Sequence, residues 1–166
     1  MLCHICDKEM QESIETYKYE ESGLDDVYLK NICVLRCECG EVMPALYRVP
    51  ELNSLIGEAI VNKPNRLNNK EIKFLRKNAG MKAKDVYKFF DTDKTTYSKW
   101  EHGKQNPSKA NDLLLRLVYA QWKNYPKNKI NKILKTGIRR LNPLKDKKPI
   151  YIPTNSNCFE HCSTTP

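Results

Sequence analysis

Seven cysteines stand among the 166 residues, and five of them, Cys3, Cys6, Cys33, Cys37 and Cys39, fall within the first 39 positions. Cys3-His4-Ile5-Cys6 is a CxxC knuckle, a loop that lets two thiolates reach one ion. Cys37-Glu38-Cys39 is a tighter CxC pair that can still chelate. Zinc takes four such ligands in a tetrahedron. Cys3, Cys6, Cys37 and Cys39 are therefore expected to hold a structural Zn2+, with Cys33 as the reserve ligand and His4 a weaker one. In a reducing compartment clustered cysteines bind metal more often than they pair as disulfides. The alternative is a degenerate finger that folds without metal. Cys158-Phe-Glu-His161-Cys162 brings donor types together again, but no second half-site lies near it in sequence, and it reads as unligated.

A CxxC also serves thiol redox chemistry. That use places the motif after a strand and at the start of a helix, whereas Cys3 sits at the start of the chain. No paired carboxylates, nucleophile-base pair or Gly-rich phosphate loop is evident. The three histidines have simpler places: His4 in the knuckle, His102 at a helix end, His161 in the tail. The reading is a non-enzyme.

The second chemistry is recognition of nucleic acid. Asp93 is a good N-cap for a helix through about Trp100. Tyr97 and Trp100, three apart, can pack inward. Thr95, Thr96, Ser98 and Lys99 are then left outward, with Lys94 beside them, and hydroxyls and lysines suit base edges and phosphates. An ordinary bundle with a polar face is the competing reading. Charge bears on the choice. Residues 1–60 hold 5 Lys and Arg against 12 Asp and Glu, net −7; residues 61–166 hold 24 against 8, net +16. So large a split implies two parts with different partners, and the basic part suits a polyphosphate.

The elements that position these residues divide the chain into 1–62, 63–122 and 123–166. The class expected is α+β: a small N-terminal β-rich zinc-binding domain, then an all-α helix-turn-helix domain. Residues 14–49 read as short strands, with β-formers at Ile14, Thr16, Tyr17, Val27-Tyr28-Leu29 and Ile32-Cys33-Val34-Leu35 and a turn at Glu20–Gly23. Pro50 opens a short helix with Leu52, Leu55, Ile56, Ala59 and Ile60 at helical spacing, and Asn62–Asn65 reads as a linker. Further helices are expected from Asn68 or Asn69 to Asn78, from Ala83 to Phe90, over the Asp93-capped stretch, and from Ser108 to about Trp122. Ile72, Leu75 and Phe74, then Val86, Phe89 and Phe90, then Leu113, Leu114, Leu117 and Val118 are their expected inward residues. Ile130, Ile133, Leu134, Ile138 and Leu141 form an apolar stripe among Lys and Arg, a basic amphipathic helix that Gly137 can interrupt. Residues 142–166 read as a mostly disordered tail. No stretch approaches the ~18–20 apolar residues of a membrane helix, and no apolar signal core opens the chain, so a cytoplasmic, nucleoid-associated protein is expected.

The run Leu67-Asn-Asn-Lys-Glu-Ile-Lys-Phe-Leu-Arg-Lys, Gly80, and Thr96-Tyr-Ser-Lys-Trp-Glu-His-Gly103 resembles the Xre-type helix-turn-helix. With Tyr17-Lys-Tyr-Glu-Glu-Ser-Gly-Leu24, Cys39-Gly-Glu41 and Arg116-Leu-Val-Tyr119, residues 1–120 are similar to the MqsA/YgiT-type family, which joins an N-terminal CxxC…CxxC zinc finger to such a domain. The resemblance implies an autorepressing antitoxin that binds double-stranded operator DNA, with its zinc domain docking a small toxin protein. A stand-alone regulator without a toxin is the alternative. Where the family's second helix opens with Ser-Gln, this chain has Lys82-Ala83, so Lys82 or Lys84 would take over a phosphate contact; Tyr87 replaces a usual alanine. Reading both half-sites of an operator normally needs a homodimer, and the candidates for pairing are the apolar face of 108–122 and the stripe from Ile130 to Ile138.

Overall fold

The computed structural model describes residues 1–140 and 149–154. It is mixed α+β: an N-terminal sheet carrying the cysteines, then six helices. Strand β1 (Gln11–Lys18) pairs antiparallel with β2 (Val27–Arg36) around a short turn at Glu20–Ser22, where Gly23 takes φ 73°. Strand β3 (Val42–Pro44) adds antiparallel to the far end of β2. The two apolar runs foreseen at 27–29 and 32–35 are thus one strand, whose buried residues Val27, Leu29, Ile32 and Val34 join the main core.

Helix α1 (Val49–Asn62) buries Leu52, Ile56, Ile60 and Val61. Its Gly57 lies so close to Tyr119 that a Cβ there would meet the phenol oxygen at 1.9 Å. Helix α2 (Asn69–Asn78) starts with a capping box: Asn68 accepts from the Glu71 N–H, and the Glu71 carboxylate accepts from the Asn68 N–H. Helices α3 (Ala83–Phe89) and α4 (Lys94–Glu101) are joined by a tight turn, and α5 (Lys109–Trp122) is capped by the Ser108 hydroxyl. Helix α6 (Lys127–Arg140) runs through Gly137 without a break. A Cβ on Gly137 would lie 2.4 Å from Leu113 Cδ1, so the glycine permits close helix packing rather than ending the helix. No helix among the described residues is long and apolar enough to cross a membrane.

Three readings need correction. Phe89 is 61% exposed. Helix α3 has seven residues, and its inward line is Val86 and Phe90, the latter edge-on to Trp100; Phe89 falls to one side of that line. On α5 the fully buried face is Asp112, Leu115, Arg116, Tyr119 and Ala120, while Leu113, Leu114, Leu117 and Val118 are half-buried. The helix turns a charged pair inward because that pair has backbone to bind. Arg116 donates to Asp112 Oδ1 at 2.8 Å and to the carbonyls of Val61, Lys63 and Asn65 at 3.1, 2.6 and 2.5 Å, and Asp112 Oδ2 accepts the Leu67 N–H at 2.7 Å. The pair thereby ends α1 and holds the connection to α2. Third, the stretch read as disordered contains strand β4 (Ile150–Pro153), which pairs parallel with Val27–Lys30 of β2. The rest of that expectation, with Leu141, Cys158, His161 and Cys162, lies outside the described residues, as does the side chain of Ile138.

Candidate metal centre and nucleic-acid interface

The knuckle at the N-terminus is shaped by backbone hydrogen bonds. Cys3 N–H donates to Lys8 O, and Asp7, at φ 58°, donates back to Cys3 O. The second loop closes in the same way: Cys37 N–H bonds Glu41 O, and Gly40, at φ 94°, bonds Cys37 O. The two loops face each other at the end of β2. The thiol sulfurs of Cys3, Cys6, Cys37 and Cys39 all lie within 4.8 Å of one another. Cys6 Sγ is 3.3 Å from Cys37 Sγ, and Cys3 Sγ is 3.6 Å from Cys39 Sγ. Four sulfurs at about 2.3 Å around one tetrahedral ion are about 3.8 Å apart, so the cluster has the size such an ion requires. Cys33 is buried within β2 outside the cluster, and His4 is an exposed residue beside Glu41. The CxC pair therefore brings both of its sulfurs to the site.

The thiols are not electrostatically alike. The Ile5 backbone N–H beside Cys3 helps to lower that thiol to about 7. The Cys39 backbone N–H favours the Cys37 thiolate, but desolvation and the surrounding thiols outweigh it and push Cys37 up to about 12. A cation held among the four sulfurs would favour their thiolate forms and offset the repulsion that crowding brings. Met10 and Leu35 are the other buried members of this small cluster, with Met43 packed beside them, so little apolar burial supports the fold of the loops.

The second site is α4. Asp93 caps it through Thr96 N–H at 2.8 Å, and the same carboxylate accepts from Thr96 Oγ1 at 2.6 Å. These bonds hold the Asp93 carboxyl below its usual range. Tyr97 and Trp100 are buried, stacked edge to face with centroids 5.8 Å apart. Arg76 of α2 grips the far end of α4 through Glu101, with contacts of 2.6 and 3.2 Å, and Tyr97 donates to the same carboxylate. The helix is thus fixed at both ends and along its inner side.

What α4 presents outward is Lys94, Thr95, Ser98 and Lys99, all exposed. Thr96 is half-buried and its hydroxyl is committed to Asp93, and Ser98 lies 3.3 Å from His102 Nδ1. Lys82 and Lys84 are exposed at the start of α3. Sequence reasoning missed Arg76, Glu101, Asp112 and Arg116. A carboxylate four residues before an arginine is the usual mark of a solvated helix face, and only the apolar context of α5 could have pointed inward.

A helix-turn-helix family model matches residues 72–111, which run from α2 into the first turn of α5. No curated protein and no solved structure matches the chain. The match and the geometry of α3 and α4 support a DNA-binding regulator, and the four clustered thiols form a site able to bind a metal ion.

Proposed function

We propose that the chain is a sequence-specific transcriptional repressor that lays α4 in the major groove of operator DNA. The observation that carries this reading is the combination of a rigidly held α4 with an outward row of Lys94, Thr95 and Lys99, inside the segment that matches the helix-turn-helix model. Thr95 and Lys99 read base edges; Lys94, Ser98, Lys82 and Lys84 support them on phosphates, and Thr96 acts chiefly through the cap. The protein is cytoplasmic and performs no catalysis. The test is selection of bound fragments from the native genome, followed by footprinting. Enrichment of one near-palindromic site supports the reading; uniform retention of all fragments contradicts it.

The four-thiol site holds a structural zinc. An all-cysteine set of this size suits zinc, which needs no redox partner and closes a small domain that has little core of its own. The repressor acts as a homodimer. Residues 61–166 carry net +16, and like charge there opposes the pairing of two copies through their helical parts. The groove between α3, α5 and α6 is different: Phe89, Leu114, Leu117, Val118, Trp122 and Leu134 line it, Asp85 is the one charged residue among the described lining, and Phe89 and Trp122 are 61% and 58% exposed. A second copy is the occupant that covers it.

In the finer reading, the chain is an MqsA/YgiT-type antitoxin whose acidic N-terminal unit docks a small toxin. Pull-down from the native host tests this layer alone. A stoichiometric small partner supports it; its absence leaves a stand-alone regulator with the same DNA site.

A further inference from the structure

Helix α6 has no Asp or Glu in its 14 residues. Ile133 sits in the main core at 1% exposure, and Lys129 reaches Glu58 at 2.7 Å, so the helix is fixed against the rest of the chain. That leaves Lys127, Asn128, Asn131, Lys132 and Lys135 on its outward side, all exposed. Among the described residues no carboxylate pairs with Lys127, Lys132 or Lys135. A solvated helix face usually interleaves the two signs, since like charges one turn apart oppose the helix slightly. This face carries one sign only.

The fold decides which end of this row lies near α4. Helix α6 returns alongside α5: Gly137 packs so tightly on Leu113, in the second turn of α5, that a Cβ would lie 2.4 Å from Leu113 Cδ1. The end of α6 is thus level with the beginning of α5, and α5 follows directly on α4. The connection between them folds back on the outward face of α4, because Lys104 N–H and Gln105 N–H both donate to Lys99 O, at 2.9 and 3.3 Å. Across the groove, Ile130 and Leu134 of α6 face α3. Lys132 and Lys135 therefore stand at the α4 end of the α5–α6 hairpin. Lys127 stands at the opposite end, about 12 Å from Lys135 along the helix axis.

Lysine ammoniums without carboxylate partners suit phosphate, and contacts to phosphate position a protein on a duplex without reading its sequence. The apolar side of α6 is spent on its own chain, so the helix has no free apolar face to sink into a lipid surface.

We propose that the C-terminal half of α6 is a second nucleic-acid contact, in which Lys132 and Lys135 grip the DNA backbone beyond the bases that α4 reads. The contact rests on the reading of α4 as a DNA-binding helix and extends it to an element outside the segment that matches the helix-turn-helix model. A merely solubilising cationic face is the competing account.

The test is equilibrium binding of the full-length protein to two duplexes of equal length, one carrying the selected operator and one of unrelated sequence, followed as salt is raised. The Lys132→Gln, Lys135→Gln double variant should lower the slope of log affinity against log salt by about 1.8, the value for two lost phosphate contacts. It should weaken both duplexes by the same factor, about tenfold, and keep its melting temperature, because both residues are exposed. Lys132→Arg with Lys135→Arg should restore the slope. Lys127→Gln should leave the slope unchanged, since that residue lies at the far end of the hairpin. An unchanged slope in the double glutamine variant overturns the proposal. So does an equal drop in Lys127→Gln, which would report diffuse charge, and so does a loss confined to the operator, which would report base reading. If the unaltered chain binds neither duplex, the reading of α4 fails and takes this contact with it; if it binds and only the slope result is negative, α6 alone is excluded.

Discussion

At the scale of single residues, buried charge separates what matters from what decorates. Arg36 and Glu15 are in contact at 2.5 Å, but with side chains 51% and 30% exposed; a pair so solvated contributes about 0–1 kcal/mol. Arg116 and Asp112 are 2% and 0% exposed, and Arg116 also binds three carbonyls of the α1–α2 connection. Arg116→Met strands the Asp112 carboxylate in the core and should cost about 3–5 kcal/mol. Urea unfolding checks it, with Arg36→Ala as the exposed comparison. Equal losses in the two variants would show that the buried pair does not hold the connection. The clustering of Cys3, Cys6, Cys37 and Cys39 was readable from residue type and local spacing, because chelation demands such thiols near each other in short loops. The Arg116 pair was not, since its meaning lies in backbone some 50 residues away that no local pattern reports.

At the scale of elements, the thiol loops and the helices should fail separately. The loops share a small cluster with Met10 and Leu35, whereas α2 to α5 belong to the main core through Ile72, Leu75, Val86, Trp100 and Leu115. Cys6→Ser should abolish binding of one zinc per chain and raise amide exchange in the two thiol loops, residues 1–10 and 36–43, with the amides of α2–α5 and of the β2 residues in the main core unchanged. Acidification should do the same to the unaltered protein, since protons compete with metal for the thiolates: zinc is held at neutral pH and released as pH falls. A metal-free protein whose N-terminal amides are as protected as those of the metal-loaded form would contradict this. The helices from Asn68 to Trp122 were readable because caps mark their starts: Asn68, Asp93 and Ser108 each accept a backbone N–H. Strand β4 was hidden. Four residues bounded by proline carry no periodicity, and what makes them a strand is an edge more than 100 positions earlier.

At the scale of the whole molecule, α6 and β4 belong to the body of the protein. Ile133 of α6 is 1% exposed, Lys129 reaches Glu58 at 2.7 Å, and Ile152 is 5% exposed. Deleting the segment that carries them would therefore open the core, and pairing is better tested at the groove. Phe89→Asp with Trp122→Asp places charge on two exposed residues, so the fold should survive. Sedimentation should then give a monomer in place of a dimer, and operator affinity should fall at least about tenfold as the two half-sites are engaged singly. An unchanged dimer would assign pairing to another face. Ile133 was foreseen as part of an apolar stripe, but which stripe residues meet this chain and which are left outward depends on α6 docking between α1 and α5, and that is a tertiary fact.

The claim that α4 reads DNA is tested most directly by one comparison: operator affinity of the unaltered protein and of the Thr95→Ala, Lys99→Ala double variant, at fixed salt. Both residues are exposed on a helix held by Asp93 and by the Arg76–Glu101 contact, so neither change touches the core. The variant should keep its melting temperature, lose about 1–3 kcal/mol at the operator for each base contact removed, and retain its affinity for unrelated DNA to within about tenfold. Full operator affinity in the double variant would mean that the groove is read by another element.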